Sequence, residues 1–140
     1  DGNAEGMCKG PADMDDFRMK FDSLEEQQED PDSIYNYVKQ VIRIRNQNPA
    51  IARGTTTYLE QYSGEQCFAL TRSYEGSNLL LLGNTSAEAV SVDLTGLTVG
   101  GTTAEELVLL GELYTGEETA ERAGTVVTLP AYSILILGEE

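Results

Sequence analysis

The chain has 140 residues, is 40% hydrophobic and carries a formal net charge of −15 without a single histidine. That charge repels phosphate backbones and anionic lipid, so nucleic-acid and membrane-surface partners are excluded. The missing imidazole removes Ser–His and Cys–His catalysis and His-ligated zinc, and no stretch approaches the roughly 20 apolar residues that span a bilayer.

The N-terminus DGNAEGMCKG shows no charged segment followed by an apolar run, so no signal peptide is read there. Residues 1–29 are polar and rich in Gly, Asp and Glu, interrupted only by Met14, Phe17, Met19, Phe21 and Leu24, which predicts an irregular loop segment. Its acidic run DMDD, Asp13 to Asp16, has the oxygen ligands calcium prefers. It lacks the Gly and the distal Glu of an EF-hand, so a solvated loop is expected and no metal ligand is assigned. Cys8 and Cys67 lie far apart in the sequence. They could pair, but Cys67 falls in an apolar strand pattern, where a small buried thiol is the ordinary occupant.

The stretch DPDSIYNYVKQVIRIRNQNPAI, residues 30–51, predicts an amphipathic helix. Asp30 is suited to the N-cap, Pro31 to the first helical position, and Asp32 to the positive first turn. Ile34, Tyr35, Val38, Val41, Ile42 and Ile44 recur with the helical period. Arg43 and Arg45 suit the C-terminal end, and Asn48-Pro49 stops the helix.

From Gly54 onward the period is two. Strands are predicted at Thr56–Tyr62, Gln66–Ser73, Asn78–Gly83, Ala89–Leu94, Glu106–Tyr114, Thr125–Leu129 and Tyr132–Leu137. Turn-like residues separate the earlier ones, Gly100-Gly101 reads as a further turn, and EETAER, 117–122, as a polar connection. Short strands at this spacing predict an antiparallel sandwich. LLLL at 79–82 and SILIL at 133–137 are apolar on both faces, whereas a two-layer sandwich needs one apolar face per strand. Something must therefore cover the second face, and the helix is the only obvious cover within the sequence.

At this point the residues resemble a known family. The run 24–54 is similar to the end of the catalytic barrel in α-amylase-family glycoside hydrolases, with Asp32, Ser33, Tyr37, Val41, Arg45, Pro49, Ala50 and Gly54 in corresponding places. QCFALTRS resembles a β-domain strand ending in an Arg turn, NLLLLGNTS an apolar strand closed by Asn, and LPAYSILIL the final strand. The resemblance covers residues 24–140. It implies a mainly β fold, an antiparallel Greek-key-like β-sandwich preceded by an irregular loop and one α-helix. Its parts would be 1–29, a loop from the end of the parent barrel; 30–53, the last barrel helix and linker; and 54–140, the C-terminal β-domain.

The same resemblance implies a missing (β/α)8 catalytic barrel as partner, α-glucan reached through that parent, and calcium in the parent. The doubly apolar strands would face the barrel. A polymer-degrading parent implies a bacterial extracellular or cell-surface setting, with the cytoplasm as the alternative. The family's nucleophile, general acid and third carboxylate sit on barrel strands. None of the surrounding motifs occurs here, so no catalytic residue is carried over and the chain alone should be inert.

Two other readings start from the residues. A retaining glycosidase site needs carboxyls about 5–5.5 Å apart, and nothing singles out such a pair. Seven tyrosines could bind sugar. Tyr58 and Tyr62 are predicted on one face of a strand and Tyr74 at a hairpin turn, which makes these three the substrate-binding candidates of a carbohydrate-binding module. Half-buried strand filler is the simpler role for them. A protein-interaction domain is the further alternative, and an uncovered helix stripe and sheet face predict self-association.

Overall fold

The computed structural model describes residues 22–139. They fall into two compact units that divide at Gln40/Val41, within the long helix. Helix α1 spans Leu24–Glu29, α2 Ile34–Gln47 and α3 Pro49–Arg53.

In the first unit, α1 replaces the end of the expected irregular loop. Its signal is the capping box Ser23-x-x-Glu26: the Ser23 hydroxyl accepts from the Glu26 N–H, and the Glu26 carboxylate accepts from the Ser23 N–H at 2.8 Å. The next helix also begins later than Asp30. Asp30 instead accepts the Asp32 N–H at 2.9 Å in an Asx turn over Pro31. The cap of α2 is Ser33, whose hydroxyl accepts the Asn36 N–H at 3.2 Å and donates to the Gln27 carbonyl at 2.5 Å. Asn36 reaches back as well, donating to the carbonyls of Gln27 at 3.0 Å and Asp30 at 2.7 Å. The last carbonyls of α1, which a helix end leaves unsatisfied, are thereby taken up by the start of α2.

The second unit is an antiparallel β fold. Its strands are β1 Thr55–Tyr58, β2 Cys67–Tyr74, β3 Ser77–Asn84, β4 Val90–Asp93, β5 Thr98–Val99, β6 Thr102–Thr103, β7 Val108–Leu113, β8 Glu121–Ala123, β9 Val126–Leu129 and β10 Ile134–Gly138. One sheet runs β1-β2-β3-β10-β7, a second β4-β9-β8, and β5-β6 is a separate hairpin. The insertion of β10 between β3 and β7 gives the Greek-key character. Glu75-Gly76 and Gly100-Gly101 each close a hairpin with both central residues at positive φ, the geometry whose twist matches paired strands. Between the sheets, Ala69, Leu80, Leu82, Leu135 and Leu137 meet Val92, Val127 and Leu129, with Leu94, Leu97, Val99 and Leu107 filling the ends.

The mainly β, sandwich-type fold is as expected, and four details differ. The strand predicted through Tyr62 ends at Tyr58 and turns into a 3-10 segment, Glu60–Tyr62. EETAER runs into β8 and is not a plain connection throughout, and residues 98–103 form the β5–β6 hairpin around the predicted turn. Asn48-Pro49 ends α2 but also starts α3, with Pro at the first turn where its missing N–H costs nothing.

The doubly apolar strands do not present a bare face. Leu79 and Ile136 alternate away from the sandwich core and are nonetheless buried. In this unit α3 lies against β2 and β3, Ala50 is fully buried (0% exposed), and Ile44 fills the space above Gly111. Arg72 of β2 fixes that arrangement by donating from Nε to the Ala50 carbonyl at 3.1 Å and from a terminal guanidinium nitrogen to the Ile51 carbonyl at 2.8 Å. Its remaining terminal nitrogen bonds to the Thr56 hydroxyl. A guanidinium at the carbonyl end of a helix also complements the helix dipole.

Candidate functional site

An open groove of about 860 Å³ is lined by Tyr58, Leu59, Glu60, Gln61, Tyr62, Gly96, Leu97 and Thr98. One wall is the end of β1 with the 3-10 segment; the other is the loop between β4 and β5. Leu59 and Tyr62 pack on the hydrophobic core and Leu97 belongs to it, so the floor is fixed from below. Tyr58 stays 55% exposed. The Tyr62 hydroxyl donates to the Thr95 carbonyl at 3.2 Å, tying the two walls together. Gly96, at φ +81°, turns the loop with open space where a Cβ would stand.

Asp93 holds that loop in shape. Its carboxylate accepts from the Thr95 hydroxyl at 2.7 Å, the Thr95 N–H at 2.9 Å and the Thr125 hydroxyl at 3.0 Å. These bonds, the Thr95 hydroxyl first, hold its pKa below the ordinary 3.8. A carboxyl whose pKa is lower when folded stabilises the fold above the unfolded value, and the contribution disappears as pH falls through the folded one. Urea melts between pH 5 and pH 2 should therefore show a decline in stability to which Asp93 contributes. Asp93→Asn should flatten part of it; an unchanged slope would mean the three bonds contribute nothing.

The three tyrosine candidates separate. Tyr58 and Tyr62 share the groove, although Tyr62 stands on the 3-10 segment and not on a strand face with Tyr58 as predicted. Tyr74 ends β2 beside the Glu75-Gly76 turn, as placed from the sequence, and does not line the groove. The opposite wall was missed, because Gly96–Thr98 are joined to Tyr58–Tyr62 only by tertiary folding. Glu60 is the single carboxylate in the lining, so the groove offers no acid–base pair for glycoside cleavage. Among the described residues no group of three or more His, Cys, Asp or Glu side chains is placed to hold a metal ion. Asp13 to Asp16 and Cys8 lie outside the described residues; Cys67 is a half-buried free thiol.

A helical lead-in set on a Greek-key sandwich through Ala50, Ile44 and Arg72 is shared with segments of α-amylase-family enzymes, and the chain resembles a C-terminal fragment of such an enzyme. It is 37% identical to Eubacterium rectale Amy13B, with a TM-score of 0.80 over 96% of this chain and 25% of that one. A variant of MutB in complex with sucrose is 26% identical, with a TM-score of 0.64 over 83% of this chain and 19% of its own. The α-amylase of H. orenii shares the fold at 22% identity, over 86% of this chain and 23% of that enzyme. The chain thus spans a quarter or less of the proteins it resembles. No protein-family model and no curated protein matches it.

Proposed function

We propose that this is the C-terminal β-domain of an α-amylase-like glycoside hydrolase that acts on α-glucans such as starch. In this reading residues 30–53 are the last barrel helix and linker, residues 54–140 are the β-domain, and the domain stabilises its catalytic barrel without supplying a reacting group. The observation that carries the reading is on α2: Ile34, Val38 and Ile42, at four-residue spacing, are 73%, 46% and 51% exposed. An apolar stripe of this kind on an amphipathic helix is the surface a neighbouring element covers. The likeness to segments of much longer α-amylase-family chains supports a catalytic barrel as that neighbour.

Two results are expected of the purified chain. It releases no sugar from maltooligosaccharides, and measurable hydrolysis would overturn the structural role. It also self-associates through the uncovered stripe. Changing Ile34, Val38 and Ile42 together to Ser should give a monomer in sedimentation velocity while shifting stability by only about 0.5 kcal/mol per site, as at other exposed positions. A chain monomeric at high concentration before the change would count against the stripe as a contact surface.

A further inference from the structure

We propose that the groove between Tyr58 and Thr98 is a binding site for a neutral α-glucan segment, separate from any catalytic cleft. Its lining combines what recognition of a pyranose requires. Tyr58 offers an aromatic surface that is more than half exposed, against which the C–H face of a sugar ring can lie. Glu60, Gln61 and Thr98 place carboxylate, amide and hydroxyl groups along the same groove, where ring hydroxyls need partners. Leu59 and Leu97 give an apolar base held by the core. The volume of about 860 Å³ lies in the range of roughly 300–1,000 Å³ typical of small-ligand sites.

Charge narrows the ligand further. The chain carries a net charge of −15, and Glu60 brings a carboxylate into the groove without a cationic residue beside it in the lining. Phosphorylated or carboxylated ligands are therefore disfavoured, and a hydroxyl-rich neutral one is not. The walls are prepared before binding, since Tyr62 bonds to Thr95 and Asp93 fixes the turn that follows it. Pre-shaped walls lose little entropy when a ligand arrives. That the sugar is an α-glucan rests on the function proposed above; that the groove takes a sugar rests on its lining.

The test is an amide-resolved NMR titration of the full chain with maltoheptaose, the same samples being assayed afterwards for cleavage products. Saturable shifts confined to residues 58–62 and 95–98 are expected, with no cleavage. Tyr58→Ala should weaken binding about tenfold, near the upper end of what one aromatic contact contributes. Tyr58→Phe should keep it, and Tyr74→Ala, outside the groove, should leave it unchanged. Tyr58 is exposed, so its replacement leaves the core intact, and an unchanged spectrum elsewhere verifies this. Flat spectra, or shifts that survive Tyr58→Ala, would overturn the groove and leave the structural role standing. A response to trilysine in place of maltoheptaose would also overturn it, in favour of a basic peptide at Glu60. Cleavage in the tube would overturn the structural role while leaving the groove in place.

Discussion

Replacing Asn84 by Asp is expected to cost about 3–5 kcal/mol of stability, the range for a buried charge left without compensation. Asn84 ends β3 and is only 4% exposed. Its amide nitrogen donates to the carbonyls of Glu88 at 2.7 Å, Pro130 at 2.9 Å and Leu129 at 3.2 Å. Its carbonyl oxygen accepts both the N–H and the hydroxyl of Ser86 at 2.9 Å. One side chain therefore gathers the end of β3, the loop after it and the end of β9. Asp has the same shape, but it turns an oxygen toward three carbonyl oxygens. Burial and those oxygens would push the introduced carboxyl's pKa upward, so the loss should grow as pH rises through its folded value. Below about pH 4, where the carboxyl is protonated in the unfolded chain too, the charge part of the loss should vanish. Asn84→Ala, which leaves the carbonyls unpaired without adding charge, should cost about 1–3 kcal/mol and show no such pH dependence. Urea melts at pH 4 and pH 7 separate the cases; equal losses for the two variants at pH 7 would refute the repulsion.

Those contacts explain why the element was visible as an apolar strand closed by Asn while its purpose was not. Alternation located β2, β4 and β9, and doubly apolar runs located β3 and β10, all to within two residues, because each has a face set by the core. Where no face is buried the pattern fails. Glu121–Ala123 of β8 is exposed throughout and joins the sheet by backbone pairing alone. Thr98–Val99 and Thr102–Thr103 are too short to show a period. The start of α2 was misplaced because Asp30, Pro31 and Asp32 each satisfy a capping preference singly. The competing Asx turn leaves the cap to Ser33. The signal for α1 was present as Ser23-x-x-Glu26, in a segment set aside as loop for its polarity.

The groove was legible only in part for the same reason. Tyr58 and Tyr62 were singled out by residue type, and the 3-10 segment that brings them to one wall follows from contacts beyond strand alternation. Leu59 accordingly packs on the core between them. The Asp93–Thr95–Thr125 bonds join residues about thirty apart, so the second wall belongs to the tertiary structure. The face of β3 and β10 directed away from the core is a partial success. The need for a cover was evident from LLLL and SILIL, and the cover includes α3, which no pattern had separated from α2.

That cover makes Gly54 the second position of large expected effect. Gly54 follows α3 in extended backbone at φ −72°, ψ 157°, so no left-handed conformation calls for glycine here. Space does. A Cβ would stand 2.5 Å from the Ala50 carbonyl oxygen and 3.0 Å from that of Ser73. Both obstacles are backbone, one in α3 and the other in β2, so no side chain can rotate away. Gly54→Ala should therefore lift α3 from the sheet, at a cost near the upper end of overpacking, about 3 kcal/mol. The same displacement stretches the bonds from Arg72 to Ala50 and Ile51. Arg72→Ala alone should weaken the fold, and the double variant should cost less than the sum of the two singles, because both act on one contact. In hydrogen exchange, amides of residues 50–54 and 72–73 should open first in either variant, while those of β9 and β4 keep their protection. Full additivity, with exchange raised uniformly across both sheets, would show that α3 is not held by this contact. The glycine at the end of the Asp32-to-Gly54 pattern would then need a different physical reason.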